Sequence, residues 1–106
     1  MSADTRFACA YEAAILYARA VVACSGYRPR GEGHHRTTLI ALVLAMGEDF
    51  LPVARSLDRA RKRRNVIAYE RPDVASEADA QGIHTQVTDL RARVERWIWR
   101  NHPDLI

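Results

Sequence analysis

Arg64, Asn65 and Tyr69, followed by Glu70, have the residue types and spacing to do chemistry. A guanidinium presents a planar fork of donors that suits a phosphate. A carboxamide can order that fork, and a phenol can orient a phosphate or donate a hydrogen bond. As a base at neutral pH the phenol is poor, because its unperturbed pKa is about 10. These residues close the stretch 55–70, RSLDRARKRRNVIAYE, which holds six of the sixteen basic residues. Phe50, Val53, Ala54, Leu57, Ala60 and Ile67 fall on one face of a 3.6-residue helix. Continuing the series from Leu57 and Ala60 sets Arg64 on the inward seam. A guanidinium there is costly unless an anion or a set of acceptors meets it. Arg55, Arg59, Lys62 and Arg63 lie on a different, outer stripe. Its plain reading is a solvated helix face; its functional reading is a nucleic-acid footprint. For Arg64, Asn65 and Tyr69 the plain reading is a polar network. Arg64 would pin this helix to the first helix or to a second protomer, while Asn65 and Tyr69 meet at i, i+4.

His34 and His35 carry less. Adjacent residues on a helix point about 100° apart and rarely hold one ion, and neither histidine has a His or Glu four residues on. They read as a helix start that packs against the glycine-rich stretch 26–33, with an acid–base role in a cleft as the alternative. His84 and His102 read as surface residues. Cys9 and Cys24 sit on one expected helix, roughly 22 Å apart and beyond disulfide reach, so free thiols are expected. They complete no zinc pattern. No phosphate-binding glycine loop, nucleophile elbow or paired-carboxylate signature occurs. The expectation is no metal and no cofactor.

The elements that must position these groups are helices. The 106 residues suit one domain, 1–106, with a modest core. Apolar residues make up 48% and aromatics only 8%, with alanine and leucine prominent, which favours closely packed helices over sheet. Net charge is +3 and the pI is about 9.2. Fifteen arginines against one lysine is a bias that GC-rich coding also produces. The clustering at 55–64 is therefore the better indication of an anionic partner. No apolar run reads as long enough for a membrane span, and no basic flank precedes an apolar core at the start. A soluble, cytoplasmic chain without membrane association is expected.

In order, Ser2 or Asp4 can cap a first helix whose buried face is Phe7, Tyr11, Ala14, Ile15, Ala18, Val21 and Val22. It should stop at Ser25 and Gly26. A second helix over 37–46 is apolar nearly all round, which predicts a place at the centre of a bundle. Gly47 closes it. Asp49 can cap a third helix with Pro52 in its first turn, and Pro72 ends that helix near residue 70. Asp73 or Ser76 can then start a fourth helix, and Ser76 with Asp79 resembles a capping box. There Ile83, Val87, Leu90, Val94 and Trp97 form an amphipathic seam widened by Ile98, and Arg91, Arg93, Glu95 and Arg96 face outward. Short connections between four helices predict an all-α, antiparallel up-and-down four-helix bundle.

With the helix order in place, the chain resembles the HEPN domain family. The segment RKRRNVIAYE is similar to the family's motif of arginine, a polar residue, three spacers and a histidine or tyrosine near the end of the third helix. The segment GYRPRGEGHH between helices one and two is similar to small stand-alone members, so the resemblance spans essentially the whole chain. It implies a four-helix bundle of a defence or toxin–antitoxin type system. It also implies a homodimer in which the arginine and histidine of two protomers meet in a cleft and cleave RNA without metal, the ribose 2′-hydroxyl acting as nucleophile. Carried over, Arg64 matches the arginine, Asn65 the polar residue, and Tyr69 the place of the histidine. Histidine titrates near neutrality and a phenol does not, so the base of that site is missing.

Two functional expectations follow. One is an RNA- or nucleotide-binding HEPN-like protein, possible as a weak or degenerate metal-independent ribonuclease, with Arg55, Arg59, Lys62 and Arg63 supplying affinity. The other is a non-catalytic interaction protein that pairs with a nucleotidyltransferase or another antitoxin-like partner, Tyr69 being contacted or modified by it.

Overall fold

The computed structural model describes residues 2–26, 34–69 and 74–105. It is an all-α four-helix bundle: α1 (Ala3–Cys24), α2 (His34–Met46), α3 (Leu51–Tyr69) and α4 (Glu77–Asn101), with short 3₁₀ turns at Glu48–Phe50 and Pro103–Leu105. The glycine-rich 27–33 stretch, residues 70–73 (which include Glu70 and Pro72), and the side chains of His34 and Tyr69 lie outside the described residues.

α1 is the central helix and lies against α2, α3 and α4. All seven residues expected on its inner face are buried. Its alanines let neighbours approach from several sides, and Tyr11, Ile15 and Val21 fill the middle of the core. Ser2 caps it, accepting from the Thr5 N–H at 3.1 Å. Asp4 instead accepts from the Ala75 N–H at 2.7 Å and the Val74 N–H at 3.4 Å, and Arg6 pairs with Glu77. The starts of α1 and α4 therefore lie at the same end of the bundle, so these two helices run parallel. The strictly alternating up-and-down order expected from the sequence would set them antiparallel. Gly26 ends α1 with φ +81°. By length and composition α1 is apolar enough to cross a membrane, with a mean hydropathy of 1.5 over an 18-residue window. That corrects the expectation that no such run exists.

α2 does not occupy the centre. Leu39 and Leu42 are buried, but Ile40 is 55% and Leu44 82% exposed. A helix that is apolar all round can be buried all round or can present an apolar outer face, and this one presents a face. It starts at His34, three residues earlier than expected, and beside Tyr11, since Tyr11 and His35 are hydrogen-bonded. Nine residues separate Cys24 from His34. That is a reach of up to about 30 Å, against roughly 20 Å of helix between Tyr11 and Cys24.

Gly47, at φ +103°, turns the chain through the 3₁₀ segment into α3, with Pro52 in the first turn. The 3₁₀ turn stands where an Asp49 cap was expected. Phe50, Ala54, Leu57 and Ala60 are buried as the spacing predicts, and Val53 and Ile67 pack against them. α4 opens with the expected box: the Asp79 N–H donates to Ser76 Oγ at 3.0 Å and the Ser76 N–H donates to Asp79 Oδ2 at 2.9 Å. Ile83, Leu90 and Val94 are buried, with Val87, Trp97 and Ile98 alongside. Arg93 is the exception to the outward set, because its guanidinium carbon sits 4.1 Å from the centre of the Phe50 ring.

Candidate functional site

α3 carries six basic residues against one acid, Asp58. Their 3.6-residue spacing divides them into an outer ridge and an inner pair, and the structure keeps that division. Arg55, Arg59, Lys62 and Arg63 are exposed, whereas Arg61 and Arg64 are half-buried. Four of the six have a carboxylate. Arg61 Nε donates to Asp58 Oδ1 at 2.9 Å, and Lys62 stands 3.8 Å from Asp58 Oδ2. Arg63 reaches Asp79 on α4 at 2.9 Å, and Arg64 Nη2 reaches Glu12 Oε1 on α1 at 3.0 Å. Arg55 and Arg59, one turn apart, pair with no acid among the described residues.

Asp79 thus serves two elements. It holds its own helix start and receives Arg63, and its carboxyl is pushed below the usual range by the Ser76 backbone N–H first, then by the Ser76 hydroxyl and Arg63.

Arg64 points inward, as its place on the seam requires. It is not wholly satisfied: Nη2 has Glu12, while the buried Nε has no hydrogen-bond partner among the described residues. Asn65, the next residue, is exposed. Neighbours on a helix diverge by about 100°, so Arg64 and Asn65 are not brought together within one chain. Tyr69 closes α3.

Around Arg64 lies a polar cluster that sequence reasoning did not assemble. Tyr11, fully buried, hydrogen-bonds His35 Nδ1 at 2.9 Å, their rings tilted at 5.6 Å. Burial holds the Tyr11 phenol well above its ordinary pKa, so it stays protonated and donates. Burial also lowers the pKa of His35; Glu12 opposes that shift, while Arg19, Arg64 and Arg61 add to it. Nδ1 of a neutral imidazole is the acceptor that fits. Glu12 was the missing partner of Arg64. It is one of only two acids in α1, the other being Asp4 at the far end of the helix, so elimination along α1 was the available signal.

Two hollows flank α3. One lies between α3 and α4, about 570 Å³, and is lined among others by Ser56, Arg59, Arg63, Gly82 and Gln86. The other, about 460 Å³, lies between α2 and α3 and combines Ile40, Val43, Leu44 and Leu51 with Arg36, Arg55 and Arg59. Arg59 borders both. Cys9 and Cys24 are free thiols, and among the described residues no three His, Cys, Asp or Glu side chains gather as a metal site. No family model matches this chain, and no curated protein or solved structure is similar enough to match it.

Proposed function

We propose that the protein binds RNA or a nucleotide through the outer face of α3, as a HEPN-like member of a defence or toxin–antitoxin type system. The reading is carried by Arg55 and Arg59, two exposed guanidiniums one turn apart with no acid against them among the described residues. Ion-paired surface arginines balance charge within the fold; unopposed ones keep their donors for an external anion. Lys62 and Arg63 extend the ridge. Arg64 is committed to Glu12 within one chain, so a ribonuclease centre from Arg64, Asn65 and Tyr69 requires a second protomer and a release of that pair. The phenol at position 69 offers that centre no effective base at neutral pH.

The test is binding of a fluorescent single-stranded RNA at two salt concentrations. Two phosphate contacts per chain give a slope of about −1.4 in log affinity against log salt, roughly a sevenfold loss between 50 and 200 mM. Arg55→Glu with Arg59→Glu should remove most of the binding and leave the helical signal intact. Binding that ignores both salt and these changes overturns the reading.

The interaction reading has its own observation. Ile40, Leu44 and Leu51 expose apolar surface side by side on the α2–α3 face, which suits a protein surface, whether a second copy or a cognate partner.

A further inference from the structure

α3 and α4 run antiparallel, yet they stand apart and meet through side-chain tips. Two rungs join them. Arg63 pairs with Asp79 at 2.9 Å, and seven residues along each helix Gln86 Nε2 donates to Ser56 Oγ at 2.6 Å. Seven residues of helix span about 10 Å. The hollow of about 570 Å³ is framed between these rungs, over an apolar floor of Phe7, Ala60 and Ile83. That size falls within the range of small-ligand sites.

Midway between the rungs, opposite Arg59, α4 carries Gly82. A glycine inside a helix costs about 1 kcal/mol relative to alanine. It is tolerated where backbone approaches closely or φ is positive, and neither applies here. A Cβ built on Gly82 meets nothing within 4 Å, and its φ is not positive. Nothing in the packing of the fold requires this glycine; what a side chain there would do is enter the hollow.

We propose that the α3–α4 cleft holds one nucleotide, its phosphate on Arg59 and its base on the Phe7–Ala60–Ile83 floor between the two rungs. Arg59 is the guanidinium of this cleft that pairs with no acid among the described residues. The Gln86–Ser56 bond uses one polar atom of each side chain. The amide carbonyl of Gln86 and the hydroxyl proton of Ser56 remain, an acceptor beside a donor, which is the pattern an amide-like base edge completes. The site deepens the phosphate-binding reading of α3 and rests on it for Arg59, while Gly82, Ser56 and Gln86 belong to the cleft alone. The nucleotide is either free or one unit of an RNA strand.

The experiment uses the intact protein, the four nucleoside monophosphates titrated by NMR, and single-stranded RNA titrated by fluorescence. Gly82→Leu fills the cleft and Gly82→Ala leaves it open. Both raise helix propensity, so loss of binding in the first is not loss of fold. Monophosphate binding is expected in the parent and in Gly82→Ala. It should fall at least about tenfold in Gly82→Leu and in Arg59→Gln, the worth of a charge-assisted hydrogen bond. Loss of RNA affinity in Gly82→Leu, with competition by monophosphate, identifies the ligand as a unit of the strand. Monophosphate binding with RNA affinity unchanged identifies a free nucleotide. No monophosphate binding up to millimolar concentration, or equal binding by Gly82→Leu and the parent, overturns the proposal. RNA binding that is lost with Arg55→Glu and Lys62→Glu, yet untouched by Gly82→Leu and without monophosphate binding, sinks the cleft and leaves the ridge standing. Monophosphate binding without RNA binding does the reverse.

Discussion

Arg64 of α3 and Glu12 of α1 meet at 3.0 Å, with 29% of the arginine side chain and 42% of the carboxylate side chain exposed. The pair joins the basic helix to the central one. Its partial exposure places its worth between that of a surface ion pair and a buried one.

Glu12→Gln should therefore destabilise the bundle by about 1–2 kcal/mol, since it leaves a half-buried guanidinium without its counter-charge. Arg64→Met should cost less than the sum of its parts suggests, because it removes the charge that needs a partner. A double-mutant cycle by urea unfolding should give a coupling of about 1 kcal/mol; a coupling near zero would mean that water serves Arg64 as well as Glu12 does.

Stability should fall as pH drops below about 6.5. The folded state lowers the pKa of His35, so the unfolded chain takes up its proton first. The stabilisation from neutral His35 is thus full above the unfolded value and lost as pH falls through the folded one. The groups facing it are Tyr11, Glu12 and Arg19 from α1 and Arg61 and Arg64 from α3. His35→Gln keeps an acceptor for the Tyr11 hydroxyl and has nothing to titrate. Its midpoint denaturant concentration between pH 7.5 and 5.5 should be flatter than the parent's, and a parallel decline would assign the effect to other groups.

The bundle should self-associate through the α2–α3 face. Sedimentation at micromolar concentration is expected to give about twice the 12.0 kDa chain mass. Leu44→Glu should yield a folded monomer, because Leu44 is 82% exposed and contributes little to the core. A parent protein that sediments as a monomer removes the composite-cleft model.

On the HEPN-like reading proposed above, Tyr69→His should supply a base at the position that the family's motif gives to histidine. General-base assistance contributes about 10²–10⁴-fold, so cleavage of a single-stranded RNA to 2′,3′-cyclic phosphate ends should rise visibly above the parent. Adding Arg64→Ala should abolish the gain by removing transition-state stabilisation, and chelators should not affect it. An inert variant that folds and dimerises normally gives precedence to the non-catalytic interaction reading.

Much of this architecture was legible in the periodicity of the chain. The seven inner residues of α1 and the Ser76–Asp79 box could be read because apolar spacing and cap chemistry are local properties. The place of α2 could not. Its residues are apolar on every side, and such a pattern is silent about which side the rest of the chain will cover. The need of Arg64 for an anion followed from its position on the seam, but Glu12 reads in isolation as a solvated charge on an alanine-rich helix. Only the approach of α1 to α3 makes it a partner. Tyr11 and His35 were separately readable as a core residue and a helix start. Their hydrogen bond depends on where α2 begins in space, which helix periodicity does not encode.

The shared starting end of α1 and α4 bears on how this chain acquires its fold. Asp4 is held by the backbone of Val74 and Ala75, and Arg6 by Glu77, so some seventy residues separate the partners that dock the first helix to the last. Helical bundles usually fold fast because their contacts are local, and closing so long a loop before it is rewarded works against that speed. During synthesis α1 emerges before α4, and its apolar face waits for it. In that interval the nascent chain exposes the surface that would form its core, which makes the emergence of α4 the step on which escape from aggregation depends.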